Sequence, residues 1–160
     1  MTHLVQLLQD FHRDKLTALL RHLAGAKLVG QYDANNAYQY VIAREEVQLS
    51  WLSSAITELG GTVEESSVEP ERGVAKDLAA RRILEEDARE ARAFVDRWRA
   101  RVDSTTNARH RDMLRVILGE TLEQGRTFAQ ALAGRTDLLG RHPERAGSTM
   151  GEVLPTRWIE

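Results

Sequence analysis

Two acidic pairs stand in the middle of long apolar-periodic stretches of the chain. Glu45 and Glu46 sit in "YVIAREEVQLSWL", with Gln48 three residues after Glu45. Glu120 and Glu123 sit in "VILGETLEQGRTFAQAL". Placing residues at roughly 100° per step puts Glu45 in the middle of an apolar arc of Tyr38, Val41, Ile42, Leu49, Leu52, Ile56 and Leu59. By the same construction Glu120 is central to Met113, Val116, Ile117, Phe128 and Ala131. A third stretch buries Leu84, Ala88, Ala91, Phe94, Val95, Trp98 and Val102, with Asp87 inside that arc and Glu90 at its edge. A fourth buries Leu4, Leu8, Phe11, Leu19, Leu23 and Ala26, and both His12 and Lys15 fall within it. Inward charges of this kind must meet one another, meet a metal ion or lose their charge, because an isolated buried charge costs several kcal/mol. The chain has no cysteine, so any metal would be held by carboxylate, imidazole or amide, a donor set suited to iron or manganese.

The elements that position these residues are helices. The periodic segments run over about 2–30, 35–59, 74–103 and 107–133, with no strand-like alternation, which predicts an all-α bundle. Gly60 and Gly61 close the second segment as a C-cap, and "TVEESSVEPERG" is a polar connection long enough to travel the length of a bundle. The short first and third connections make two antiparallel hairpins, in an up-down-down-up order. The hairpins also match weakly at a displacement of 75 residues, at which Val41 and Ile42 align with Val116 and Ile117, and Glu45 with Glu120. The domain expected is a bundle over 1–134, with a loop-rich extension over 135–160 whose Val153, Leu154, Trp158 and Ile159 could dock on the bundle or on a protein partner.

At 160 residues, 42% hydrophobic and 29% charged, the composition is that of one soluble globular domain. No apolar run approaches the roughly 20 residues of a membrane span, and "MTHLVQLLQD" does not resemble a signal peptide, so the location expected is cytoplasmic. The net charge of −2 divides into about −4 over residues 1–75 and about +2 over 76–160. The arginines of "ARRILEEDAREARAFVDRWRAR" alternate with acids at i,i+4 (Arg81 with Glu85, Arg92 with Asp96), which reads as a solvated helix face rather than a nucleic-acid stripe. Tyr38, Tyr40, Phe94 and Trp98 follow helical spacing and read as core. Trp51 falls off its arc and is a candidate helix-to-helix contact in a homodimer. His22 reads as a hydrogen-bonded core histidine, about 10 Å along the axis from Lys15.

Over residues 3–133 the chain resembles the ferritin-like superfamily, in particular its bacterioferritin and rubrerythrin branch. "EEVQLSWLSSAITELGG" is similar to that family's second helix and "VILGETLEQGRTFAQAL" to its fourth. The resemblance implies a di-iron bundle in which helices two and four each supply E-x-x-H. Carried over, Glu45 and Glu120 stand at the bridging positions, Gln48 and Glu123 where the histidines belong, Asp87 or Glu90 on helix three, and His12 or Lys15 on helix one. Both histidines of the paired motif are absent, which speaks against oxidase chemistry. Two functions follow as expectations. In one, the site is degenerate: Lys15, with His12 or Arg97, neutralises Glu45, Glu90 or Asp87, Glu120 and Glu123 in an ionic network, and the bundle is a non-catalytic scaffold or interaction module. In the other, Glu45, Glu120, Asp87, Glu123 and His12, with Gln48 as a weak ligand, bind iron or manganese for an oxidase-type or metal-storage activity.

Overall fold

The computed structural model describes residues 2–66, 68–72, 76–135 and 138. Four helices account for most of them: α1 Thr2–Ala26, α2 Tyr32–Glu58, α3 Lys76–Asp103 and α4 Ala108–Leu132, with no strand among the described residues. Each lies within a few residues of the segment read from periodicity. The extension expected over 135–160, with its docking residues Val153, Leu154, Trp158 and Ile159, falls almost wholly outside the described residues.

Local chemistry sets the ends. The Gln31 side chain caps α2 by accepting from Ala34 N at 2.7 Å, and the Asn107 side chain caps α4 by accepting from His110 N at 3.1 Å. Gly60 and Gly134 stand just past the ends of α2 and α4 with φ of 82° and 88°, a left-handed turn that glycine adopts without steric cost. Gly61 N then returns to Ile56 O, and Arg135 N to Gln130 O, satisfying carbonyls that the helices leave over. Between α1 and α2, the Asn35 amide donates to Ala26 O and Val29 O at 2.9 and 3.0 Å, clasping the first hairpin shut.

The helices pack in a square in which α1 neighbours α2 and α3, and α4 neighbours α2 and α3. Direction follows from the pairs across each seam. Arg97 meets Asp14 and Arg101 meets Asp10, while Arg44 meets Glu120 and Arg109 meets Glu58, so every neighbouring pair is antiparallel and the order is up-down-down-up. The described residues of the connection between α2 and α3 run beside α1. Gln9 donates to Thr62 O at 2.9 Å near one end of α1, and Lys27 pairs with Glu69 at 2.6 Å near the other.

The core is built from residues such as Leu8, Phe11, Tyr38, Leu52, Ile56, Val95, Ile117 and Phe128, all at most 1% exposed, each contributing on the order of 2 kcal/mol by leaving water. Aromatic rings gather in two groups. Phe11 meets Phe94 and Trp98 edge-on at 5.3 and 4.9 Å, and Tyr38, His22 and Phe128 form the second group. A polar layer separates them.

Two expectations about facing are corrected. Val116 is 51% exposed and Tyr40 52%, so neither belongs to the core. The buried stripe of α4 is His110, Leu114, Ile117, Leu118, Thr121, Gln124 and Phe128, which leaves Glu120 at its edge instead of its centre. The hairpins accordingly correspond in burial at a displacement of 76, one more than expected: Tyr38, Val41, Ile42, Glu45, Gln48 and Leu52 align with Leu114, Ile117, Leu118, Thr121, Gln124 and Phe128, all buried. The counterpart of Glu45 is therefore Thr121. A helical wheel resolves an arc to no better than about one 100° step, and the paired "VI" dipeptides drew the register one residue short.

Candidate functional site

Glu45 lies at the middle of α2 with its side chain fully buried. Its Oε1 accepts from His22 Nδ1 at 2.5 Å. Its Oε2 faces Lys15 Nζ at 3.3 Å, an ion pair whose angle leaves that oxygen without a directed hydrogen bond. Lys15, 1% exposed, instead donates to Thr121 Oγ1 at 3.0 Å, and Thr121 in turn donates to Ile117 O at 2.7 Å. The ammonium also stands 5.1 Å above the Phe94 ring. Burial pushes the Glu45 carboxyl upward, but His22 and Lys15 together outweigh it and hold the group below the ordinary carboxylate range.

A second cluster surrounds Asp87 on α3, also fully buried. Arg21 Nε reaches its Oδ1 at 3.1 Å, Arg72 Nη1 reaches its Oδ2 at 2.9 Å, and the Tyr38 hydroxyl donates to the same Oδ2. Arg72 comes from the connection between α2 and α3 and also bonds Arg21 O and Glu86. Burial raises Asp87, and the neighbouring cations and the Tyr38 hydroxyl bring its pKa below the usual value all the same. Burial first, then the Asp87 charge, drives the Tyr38 phenol strongly upward. Tyr38 is thus held as a neutral donor to an ionised acid.

The remaining predicted site residues lie elsewhere. Glu120 is about a quarter exposed and accepts from Arg44 Nε at 2.7 Å and from Gln48 Nε2 at 3.3 Å. The Arg44 guanidinium, raised chiefly by that bond, lies over the half-buried ring of Trp51. Gln48 is buried with its Oε1 unpartnered. Glu123 is 67% exposed and pairs with Arg126 on the surface. Glu90 pairs with Arg97 near the surface. His12 is buried against Ser53 Oγ at 3.3 Å, and burial lowers its pKa.

The structure therefore brings Lys15 to Glu45 and Gln48 to Glu120; Asp87 has its own cluster but shares the electrostatic influence of His22 with Glu45, while Glu123 and His12 pair elsewhere. Among the described residues no three His, Asp or Glu side chains group so as to hold a metal ion. His22, Thr121, Arg21, Arg72 and Arg44 carry the network without having been singled out as partners of these acids. His22 had a signal, since it shares the inward stripe of Lys15; the stagger of α1 against α2 sets Glu45 between the two, within reach of both. Arg72 had none, because it sits in a connection with no period. Compared with known protein families, curated proteins and solved structures, the chain gives no significant match to any.

Proposed function

We propose that the chain is a ferritin-like bundle whose inward acids are neutralised by its own cations, and that it serves as a non-catalytic scaffold or interaction module. One observation carries this reading: the carboxylate of Glu45, the most central acid, is flanked by Lys15 on one oxygen and His22 on the other. The up-down-down-up order and the connection laid along α1 support the ferritin-like part. The donor set is a poor fit to a pair of metal ions. Asp87 is saturated by two guanidinium groups and a phenol, Glu123 points to solvent, and His12 faces Ser53. A lysine ammonium in place of a metal ion balances the Glu45 charge and fixes helix register, the best-attested use of buried ionic groups.

A homodimer is part of the proposal. The exposed side of α2 presents Gln39, Tyr40, Ala43, Val47, Ser50 and Ser54, with Glu46 and the partly exposed Arg44 as its nearby charges, whereas the exposed side of α3 is dense in Arg and Glu. Light scattering on the purified chain tests it, with twice the chain mass expected.

Thermal unfolding tests the neutralised-core reading. Chelator and added Mn(II) or anaerobic Fe(II) should leave the midpoint where it is. A metal held at a hundred times its Kd would add about 2.7 kcal/mol of stability and a clear upward shift, which would contradict the proposal.

A further inference from the structure

Beside the Glu45 layer a narrow cleft enters between α1 and α3, the least closely packed neighbours of the square. Its mouth is framed by Asp14, Glu90 and Arg97, where the guanidinium joins the two acids at 2.9 and 3.2 Å. Its floor is Lys15, Glu45, Thr121 and Gln124, none more than 5% exposed. The water-accessible part of the cleft is about 10 Å³, about the volume that one water requires.

Three polar groups on that floor have bonding capacity left, and a fourth, His22 Nε2, is buried without a partner on a residue that lines the cleft wall and can take the second proton of a water. Gln124 Nε2 and Glu45 Oε2 are buried without a directed hydrogen bond. Lys15 carries three N–H donors, of which one serves Thr121. Two donors and one acceptor around a one-water space specify the occupant. An anion would meet the Glu45 carboxylate and a cation would meet the ammonium, whereas a neutral molecule able to accept twice and donate once satisfies all three. We propose that this cleft is a binding site for a single internal water that accepts from Lys15 Nζ and Gln124 Nε2 and donates to Glu45 Oε2. The water completes the polar layer at its Thr121 side, where the pseudo-equivalent of Glu45 offers only a hydroxyl. The inference rests on the neutralised-core reading and deepens it.

A high-resolution crystal structure of the full chain, purified without chelator and recorded with anomalous data, separates the two. One peak of water density within hydrogen-bond distance of Lys15 Nζ, Gln124 Nε2 and Glu45 Oε2, without anomalous signal, is the expected result. A floor with no peak overturns the water site and leaves the neutralised core standing. An anomalous peak bound by Glu45 overturns both. In solution, water-oxygen magnetic relaxation dispersion should count one long-lived water fewer in Gln124→Leu than in the native chain. An unchanged count overturns the assignment to Gln124 and with it the site.

Discussion

Replacing Lys15 by methionine keeps the length of the side chain and removes its charge. The ammonium stands 3.3 Å from Glu45 Oε2, with side-chain exposures of 1% and 0%, so solvent screening offers little discount. At an effective dielectric of about 20 the Coulomb attraction at that distance is about 5 kcal/mol, and the bond to Thr121 adds about 1 kcal/mol. Breaking a buried pair from one side typically costs about 3–5 kcal/mol. Because His22 continues to bond the other carboxylate oxygen, the expected loss for K15M is about 3 kcal/mol. The companion E45Q strands the ammonium instead and should lose about as much. The double variant K15M/E45Q strands neither, so its loss should fall short of the sum of the two by at least about 2 kcal/mol. Urea unfolding of the four proteins, with a common dependence on denaturant, measures the cycle. A K15M loss below about 0.5 kcal/mol, or additivity of the two substitutions, would refute the ion-pair argument.

Asp87→Asn should cost about 3 kcal/mol by leaving buried Arg72 with only the exposed Glu86 as counter-charge, whereas Glu120→Gln, at a partly exposed pair, should cost about 1 kcal/mol or less; equal losses in denaturant unfolding would overturn the ranking of the two clusters. Gly119 is exposed within α4, and a Cβ there meets nothing within 4 Å, so Gly119→Ala should raise stability by about 0.5–1 kcal/mol, read as a higher urea midpoint. Stability should fall in two stages on acidification. His12 and His110 are both lowered chiefly by burial, so the unfolded chain takes up protons first as pH drops through about 6.5. Glu45 and Asp87, both held below their ordinary values, contribute stability that is intact above about pH 4 and is lost as pH falls through the folded pKa. A urea midpoint that is flat from pH 7 to pH 5 would contradict the histidine stage.

Four helices were legible because apolar spacing acts locally, and the end of α2 because Gly60 closes it, whereas α1 stops at Ala26, short of residue 30, and α2 starts at Tyr32, ahead of residue 35, the bounds that periodicity alone gave. Inward placement of Glu45, Asp87, Lys15 and His12 was legible for the same reason, since each sits well inside its arc. What a helical wheel does not carry is stagger between helices, and that stagger decides partners. It sets Glu45 between Lys15 and His22 and pairs Glu120 with Arg44 on the next helix. The mistaken centrality of Glu120 came from treating Val116 as core by residue type, although its neighbour Ile117 fills the interior position and Val116 faces out. Arg72 reaches Asp87 from an aperiodic connection, so only the folded path of the chain could reveal it. Likeness of motif carried the expectation of a metal site to Glu123, yet the Gln48 position on the other hairpin corresponds in burial to Gln124 and not to Glu123.

The claim at the centre of this account is that protein cations, and not bound metal, balance the inward carboxylates. Elemental analysis by mass spectrometry of chain purified without chelator, repeated after anaerobic loading with Fe(II) and with Mn(II), addresses it directly. The account predicts less than about a tenth of an equivalent of either metal per chain after desalting, in the native protein and in E45Q alike. About two tightly held equivalents per chain, lost in E45Q, would contradict it.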